Sequence, residues 1–246
     1  METLMETLRA YGRFLELSDD VPYLASQIPE LKERIDELKW NRDSKELELT
    51  WLQNPNFFQR IFGKVEEKKE KLGQQLSQAT AAWTAAKWEL ETLERKIAES
   101  RLELEALQHS RDLYESAKAE AVLTAAQESQ LMMAELTAFT PAAIAAAERC
   151  LEALEDARFW MQQDAVRKGV SDANQKMACL SRAAENARRL VEILSIMPEG
   201  VANIGAYLQS PEGYVDAVTS EFKRLDRLNN AIDQVRETRN QLRMLQ

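Results

Sequence analysis

Residues 72–107 read LGQQLSQATAAWTAAKWELETLERKIAESRLELEAL, and their apolar side chains recur at alternating intervals of four and three residues. The residues that keep this spacing are Leu72, Leu76, Ala79, Trp83, Ala86, Leu90, Leu93, Ile97, Leu104 and Leu107, with Ser100 as the polar exception. This is the spacing of the a and d positions of a coiled coil, which share one side of a helix and pack on a second helix. The stretch therefore predicts a long helix whose apolar stripe needs a partner helix.

The same spacing continues upstream on both sides of a turn signal. Downstream of the turn it includes Phe58, Phe62 and Val65, with Lys69 next; upstream it includes Leu24, Ile28, Leu31, Ile35, Leu38, Leu49 and Leu52, with Arg42 and Lys45 at the two positions between. Asn54-Pro55-Asn56 favours a turn between the two stripes. We therefore predict an antiparallel helical hairpin in which Lys45 lies opposite Val65. Pairing should end near Trp83 and Trp88, and these rings are expected to fill the junction with the rest of the chain.

Composition points to few, long elements. The chain has 246 residues, of which only seven are glycine and six are proline. Charged residues make up 30% and hydrophobic residues 45%, which is typical of long helices with enough apolar surface for a core. We predict an all-α fold: an elongated helical bundle with a projecting antiparallel coiled-coil hairpin. The net charge of −9, with no strongly basic region, argues against nucleic acid as a partner.

Prolines, glycines and capping residues predict three domains. These are an amphipathic N-terminal helix at 1–21, the coiled-coil hairpin at 22–88 with its tip at 53–64, and a helical bundle at 89–246 with helices near 89–139, 141–168, 172–197 and 211–245. The first helix is expected to end near Leu17, and the second to begin at Pro22 or Pro29. An unbroken helix is expected to reach Phe139. Thr140-Pro141 then predicts an N-cap and a first turn, where proline is tolerated.

Three of these helices carry further apolar stripes that predict core faces. The stripes are Leu4, Leu8, Tyr11 and Leu15 in the first helix; Ala173, Met177, Leu180, Ala184, Ala187, Val191 and Leu194 in the helix near 172–197; and Val218, Leu225, Leu228, Ile232, Val235, Leu242 and Leu245 in the last helix.

The two cysteines and the N-terminus favour a cytoplasmic location. Met1–Leu17 lacks the basic and apolar segments of a secretory signal, and no window is apolar enough to span a membrane. In a hairpin of neighbouring helices, Cys150 should face the region of residue 189 and Cys179 that of residue 160, which is too far for a disulfide. We expect both to be buried, reduced thiols.

No residue set matches a catalytic, cofactor or metal motif, so we expect a protein that is not an enzyme and has no cofactor. His109 is the single histidine, and with Glu105 it is typical of a solvated helix face. A di-iron bundle or a structural zinc site would need more histidine or cysteine ligands than the chain contains. Arg42, Lys45 and Lys69 interrupt the apolar stripes, and they either extend to water past a thin interface or fix the register of the helix pair.

The predicted hairpin tip is the leading candidate for binding a partner. Phe57 and Ile61 lie beside the apolar stripe, and Arg60, Lys64 and Lys68 make this part of an acidic chain locally basic. The alternative is that Phe57 and Ile61 fold over the turn as a cap.

Three kinds of partner follow from these features. We expect a scaffold or adaptor that binds a macromolecule, most simply a protein, through the tip. The alternative is a peripheral membrane protein that docks through the N-terminal amphipathic helix or the tip. The coiled-coil faces also allow a homo-oligomer.

Overall fold

A computed structural model describes residues 1–53, 65–166, 173–198 and 221–245. The helices are α1 (Glu2–Gln53), α2 (Val65–Ala106), α3 (Ser110–Glu120), α4 (Ala125–Val166), α5 (Ala173–Ile196) and α6 (Glu221–Arg243). The described ranges contain no β-strand. The prediction of an all-α helical bundle is therefore confirmed.

The chain forms two compact units. Unit 1 comprises Met1–Asp19 and Leu104–Gln246, and unit 2 comprises Asp20–Glu103. The first turns of α1 belong to unit 1 and the rest of this helix belongs to unit 2.

The predicted break near Leu17 is wrong, because α1 runs without interruption through Pro22 and Pro29. Each proline removes one backbone hydrogen bond from a helix. Both rings are exposed and they are seven residues apart, so they lie on the same solvent-facing side. Water can reach the carbonyls that lose their donors there, and the apolar residues on the other side stay packed.

The expected unbroken helix to Phe139 is also wrong. It is interrupted after Ala106 by a short turn and again between α3 and α4, where the backbone at Ala121 is extended. The second break has a signal in the sequence. The Thr124 hydroxyl accepts from the Gln127 N–H (3.4 Å), and the Gln127 side-chain oxygen accepts from the Thr124 N–H (2.9 Å). This reciprocal capping box begins α4 without proline or glycine.

Thr140-Pro141 does not begin a helix, because both residues lie inside α4. The Thr140 hydroxyl donates to the Leu136 carbonyl (2.6 Å) instead of capping a new first turn. Phe139 and Ala142 are buried on either side of the proline. Packing along both flanks therefore outweighs the roughly 3 kcal/mol that an internal proline costs.

The core of unit 1 is built around α4, which packs against both α5 and α6. The last predicted stripe is confirmed where it is described: Leu228, Ile232, Val235 and Leu242 are buried. Two charged contacts tie α6 to α4, one between Arg236 and Glu155 at 3.2 Å and one between Arg243 and Glu148. The N-terminal stripe Leu4, Leu8, Tyr11 and Leu15 is buried in the same core. There α1 comes so close to α4 that a β-carbon on Gly12 would lie 2.6 Å from the Ala138 carbonyl oxygen.

The predicted stripe of α5 has the wrong phase. Leu180, Ala187 and Leu194 are buried as expected, but Met177 and Val191 are exposed. Ala183, Leu190 and Met197 take the alternate core positions. Both sets of residues fit a heptad repeat, because each combines Leu180, Ala187 and Leu194 with one residue in between. Packing on α4 buries the intermediate residue that follows Leu180 by three positions, Ala183, more deeply than the one that follows it by four, Ala184.

The described parts of the two stripes in unit 2 agree with the sequence. Each stripe residue between 24 and 52 and between 65 and 97 is buried or half-buried, and the most buried are Leu31, Leu72, Ala79, Ala86 and Ile97. Unit 2 therefore has a real helix–helix interface. The coiled-coil hairpin with its tip at 53–64 stays a prediction, because residues 54–64 lie outside the described ranges.

Three contacts show how α1 and α2 run. Lys32 Nζ lies 3.4 Å from Glu94 Oε1, an Arg34 nitrogen lies 3.6 Å from Glu89 Oε2, and the Arg42 guanidinium lies 4.1 Å from the centre of the Trp83 ring. From one contact to the next, the residue number rises in α1 and falls in α2, so the two helices are antiparallel. The predicted register is wrong: with Lys45 opposite Val65, Arg42 would lie about four turns of helix from Trp83. That prediction assumed a reversal within Asn54-Pro55-Asn56.

Candidate partner-binding surfaces

Most of the predicted tip site lies outside the described residues. Phe57, Arg60, Ile61 and Lys64 belong to this group. Lys68 is described, and its side chain is exposed on α2. The antiparallel pairing brings the last turn of α1 and the first turn of α2 to the same end of unit 2, so Lys68 lies near the end where the predicted tip joins the helices.

A second surface, missed by the sequence reading, lies on the outer side of α1 in unit 2. We call Trp40, Leu47 and Trp51 the outer-face stripe; their side chains are 74%, 52% and 69% exposed. They are spaced by seven and four residues, so at about 100° per residue they fall within roughly 40° of one another. The same arithmetic places them opposite the interface residues of α1. The signal was available: three large apolar residues recur at coiled-coil spacing on the side that a two-helix pair leaves uncovered.

Trp83 and Trp88 do not play the predicted role of filling a junction. Trp83 lies inside unit 2 with cations over its ring, the Arg42 guanidinium at 4.1 Å and the Lys87 ammonium at 4.9 Å. Trp88 is 68% exposed on α2. Arg42 also donates from Nε to an Asp43 carboxylate oxygen at 2.8 Å. Arg42, a charged residue in the interface stripe of α1, is thus accommodated by the Trp83 ring and the Asp43 carboxylate.

The N-terminal stripe bears on the membrane alternative. Leu4, Leu8, Tyr11 and Leu15 are each at most 5% exposed. An amphipathic helix binds lipid through its apolar side, and here that side is already part of the core of unit 1. Insertion through this helix would require unpacking of the core. Among the described residues, no helix is long and apolar enough to cross a membrane.

A buried polar cluster joins α3 to α4 in unit 1. The Tyr114 hydroxyl and the Lys118 ammonium both donate to the same oxygen of Glu135, whose side chain is almost fully buried. Tyr11 and Phe139 pack on the Tyr114 ring, with ring centres 6.0 and 6.4 Å away. Burial, and then the hydrogen bond to Glu135, raise the pKa of Tyr114. The phenol therefore stays protonated, and the cluster holds α3 on α4.

The cysteines are free and buried, as predicted, but their helices pair differently. The Cys150 thiol donates to the Ala183 carbonyl at 3.5 Å and so does not face residue 189. Burial raises the pKa of Cys150 to about 12, which keeps it an unreactive thiol.

His109 and Glu105 are exposed, as expected for a solvated surface. Within the described ranges, no group of three or more histidine, cysteine or acidic residues is placed to hold a metal ion.

Unit 1 also has an open groove of about 400 Å³ between α1 and α4. Met5, Leu8 and Ala134 contribute its apolar lining, and Arg9 and Arg13 its charged lining. Arg13 is already paired with Glu16 at 3.0 Å. Glu16 and Thr137 also line the groove, and the Thr137 hydroxyl already donates to the Met133 carbonyl at 2.9 Å.

Comparison of the sequence with models of protein families, with curated proteins and with solved structures finds no match.

Proposed function

We propose that this protein is a non-enzymatic scaffold or adaptor that binds a protein partner through the segment joining α1 to α2. The observation that carries the proposal is the antiparallel pairing of these helices. It brings Gln53 and Val65, which flank the segment, to one end of unit 2, with Lys68 exposed nearby. A segment that joins the neighbouring ends of two paired helices suits recognition by another macromolecule. Phe57 and Ile61 supply apolar contacts, and Arg60 and Lys64 supply positive charge.

The test is the double variant Phe57→Asp with Ile61→Asp. A photo-crosslinking residue at position 57 identifies the partner in cells, and binding is then measured between the two purified proteins. We expect the double variant to abolish that binding and to leave the thermal midpoint unchanged. Phe58→Ala is the matched control, because Phe58 belongs to the predicted apolar stripe and its loss should lower stability instead.

Two outcomes would contradict the proposal. If the double aspartate variant loses as much stability as Phe58→Ala, then Phe57 and Ile61 are structural plugs of the turn. If the purified protein floats with anionic vesicles and the double variant does not, the segment recognises lipid.

A further inference from the structure

The charges that border the outer-face stripe are mainly acidic. Between residues 36 and 51, the charged side chains within about 80° of the centre of the stripe are all acidic at the helical spacing of 100° per residue. They are Asp36, Glu37, Asp43 and Glu48, and each is exposed. Lys39 lies just outside this range, at about 100°. Arg42 and Lys45 lie on the opposite, interface side of α1, from which Arg42 pairs with the Asp43 carboxylate. The stripe is therefore an apolar row bordered by carboxylates.

The shape of this surface fits a helix. The row runs from Trp40 to Trp51, which is about 16 Å or three turns. Ser44, a small residue, falls between the large side chains, about 40° around the helix from Trp40. Large residues at intervals of four and seven, separated by a small one, accept the side chains of a facing helix. The backbone of α1 is hydrogen-bonded within the helix and offers no free edge to a strand.

The acidic border of the stripe distinguishes among three possible partners: a second copy of the chain, an anionic membrane and a basic helix. A second copy packed stripe to stripe would bring Asp36, Glu37 and Glu48 of one copy against the same residues of the other, which opposes association. An anionic membrane would be repelled in the same way. A helix with basic residues on both sides of an apolar row would meet carboxylates on both borders of the stripe.

We propose that the outer-face stripe is a docking site for an amphipathic helix of another protein, with apolar residues at coiled-coil spacing and lysines or arginines beside them. This site is separate from the proposed tip site and would give the adaptor a second partner. A buried Trp side chain contributes about 150–250 Å², so three partly exposed residues offer roughly half of the 800 Å² per partner found in stable complexes. We therefore expect a weak, reversible complex.

The test uses a defined probe in place of the natural partner. A labelled synthetic peptide of about four heptads carries Leu at a and d and Lys elsewhere, and a second peptide carries Glu in place of Lys. Binding to the full-length protein is measured by fluorescence anisotropy at low and at physiological salt. We expect the Lys peptide to bind and the Glu peptide not to bind.

Matched variants separate the stripe from general charge attraction. Trp40→Gln with Trp51→Gln should weaken binding of the Lys peptide at least about tenfold, as expected for central aromatic anchors. Trp88→Gln removes a comparably exposed tryptophan from α2 and should leave binding unchanged. Glu37→Gln with Glu48→Gln should weaken binding mainly at low salt, whereas Glu91→Gln with Glu99→Gln, on α2, should have little effect.

Three results would overturn the proposal. Equal binding to wild type and to the Trp40/Trp51 variant would mean that the peptide follows net charge alone. A dimer in sedimentation velocity that this variant abolishes would make a second copy the occupant. Flotation with anionic vesicles that the variant abolishes would make lipid the occupant. The Phe57→Asp with Ile61→Asp protein should bind the peptide like wild type, so a failure of the tip proposal is distinguished from a failure of this one.

Discussion

Unit 1 and unit 2 bury the same kind of apolar stripe to different depths. In unit 1, α4 is covered on two sides, and Leu154, Leu190 and Val235 are completely inaccessible to solvent. In unit 2, stripe residues such as Leu90 and Leu93 are only half-buried. Two helices cover one side of each other and leave the rest of each helix uncovered. Apolar residues on the outer side of unit 2, such as Trp40, are thus not explained by the packing of that unit, whereas the buried stripes of unit 1 are explained by theirs.

The largest expected effect compares one substitution in the two units. Leu190→Ala should reduce the free energy of unfolding by about 2–5 kcal/mol, because it removes a fully buried side chain and leaves a cavity. Leu90→Ala should cost only about 1–2 kcal/mol, because much of its side chain already contacts water. Urea denaturation followed by far-UV circular dichroism measures both. Equal losses would mean that the two units are packed alike, which would break the comparison.

A pair of glycines should respond with opposite signs. Gly12→Ala places a methyl group against the Ala138 carbonyl oxygen and should cost about 1–3 kcal/mol, since a backbone carbonyl cannot move aside cheaply. Gly73→Ala meets no atom within 4 Å. It should stabilise unit 2 by about 0.5–1 kcal/mol through the higher helix propensity of alanine. Thermal and urea unfolding test this, and a gain in stability for Gly12→Ala would show that α1 and α4 are less tightly apposed.

The heptad spacing predicted the helices and most of their buried sides, because a periodic apolar pattern reports directly on which side is covered. It failed where two phases fit equally well, as for Met177 against Ala183 in α5. The heptad spacing also could not show where one helix ends and the next begins. Pro22, Pro29 and Pro141 all sit inside helices, because packing and solvent exposure decide whether a proline ends a helix. The capping box at Thr124 was readable and would have placed the start of α4.

The third prediction concerns pH and applies only to unit 1. Burial raises the pKa of Cys150 from 9.0 to about 12. The contribution of this thiol to the free energy of unfolding is therefore constant below pH 9. This contribution falls between pH 9 and 12, where the unfolded chain can release the thiol proton and the folded chain cannot. Wild type should lose up to about 1.4 kcal/mol per pH unit more than Cys150→Ala in this window.

Urea denaturation at intervals between pH 8 and pH 11 gives the comparison. The raised pKa of Tyr114 affects the free energy of unfolding of both proteins alike, so its effect cancels in the difference. Parallel curves for the two proteins would show that the Cys150 thiol titrates freely, and that the α4–α5 interface admits water.

The candidate surfaces were less predictable than the fold. The sequence predicts the tip residues, such as Phe57, as a binding site because they lie beside a stripe in a locally basic segment. The outer-face stripe depends on knowing that nothing in unit 2 covers that side of α1, and spacing alone does not supply this. The positions of Trp40 and Leu47 relative to the interface could be computed from sequence. Their exposure could not, because spacing does not show whether a third helix of the chain packs on that side.

The smallest expected effect separates binding from stability in unit 2. Trp40→Gln with Trp51→Gln should change the free energy of unfolding by less than about 0.5 kcal/mol, because both rings are largely exposed and glutamine is a better helix former than tryptophan. Trp83→Gln is the matched control. It removes a ring that lies under Arg42 and Lys87, and should cost about 1–3 kcal/mol through lost burial and cation–π contacts. If the double variant destabilises the protein as much as Trp83→Gln does, the outer tryptophans are part of the packing of unit 2, and their exposure can no longer be assigned to a partner.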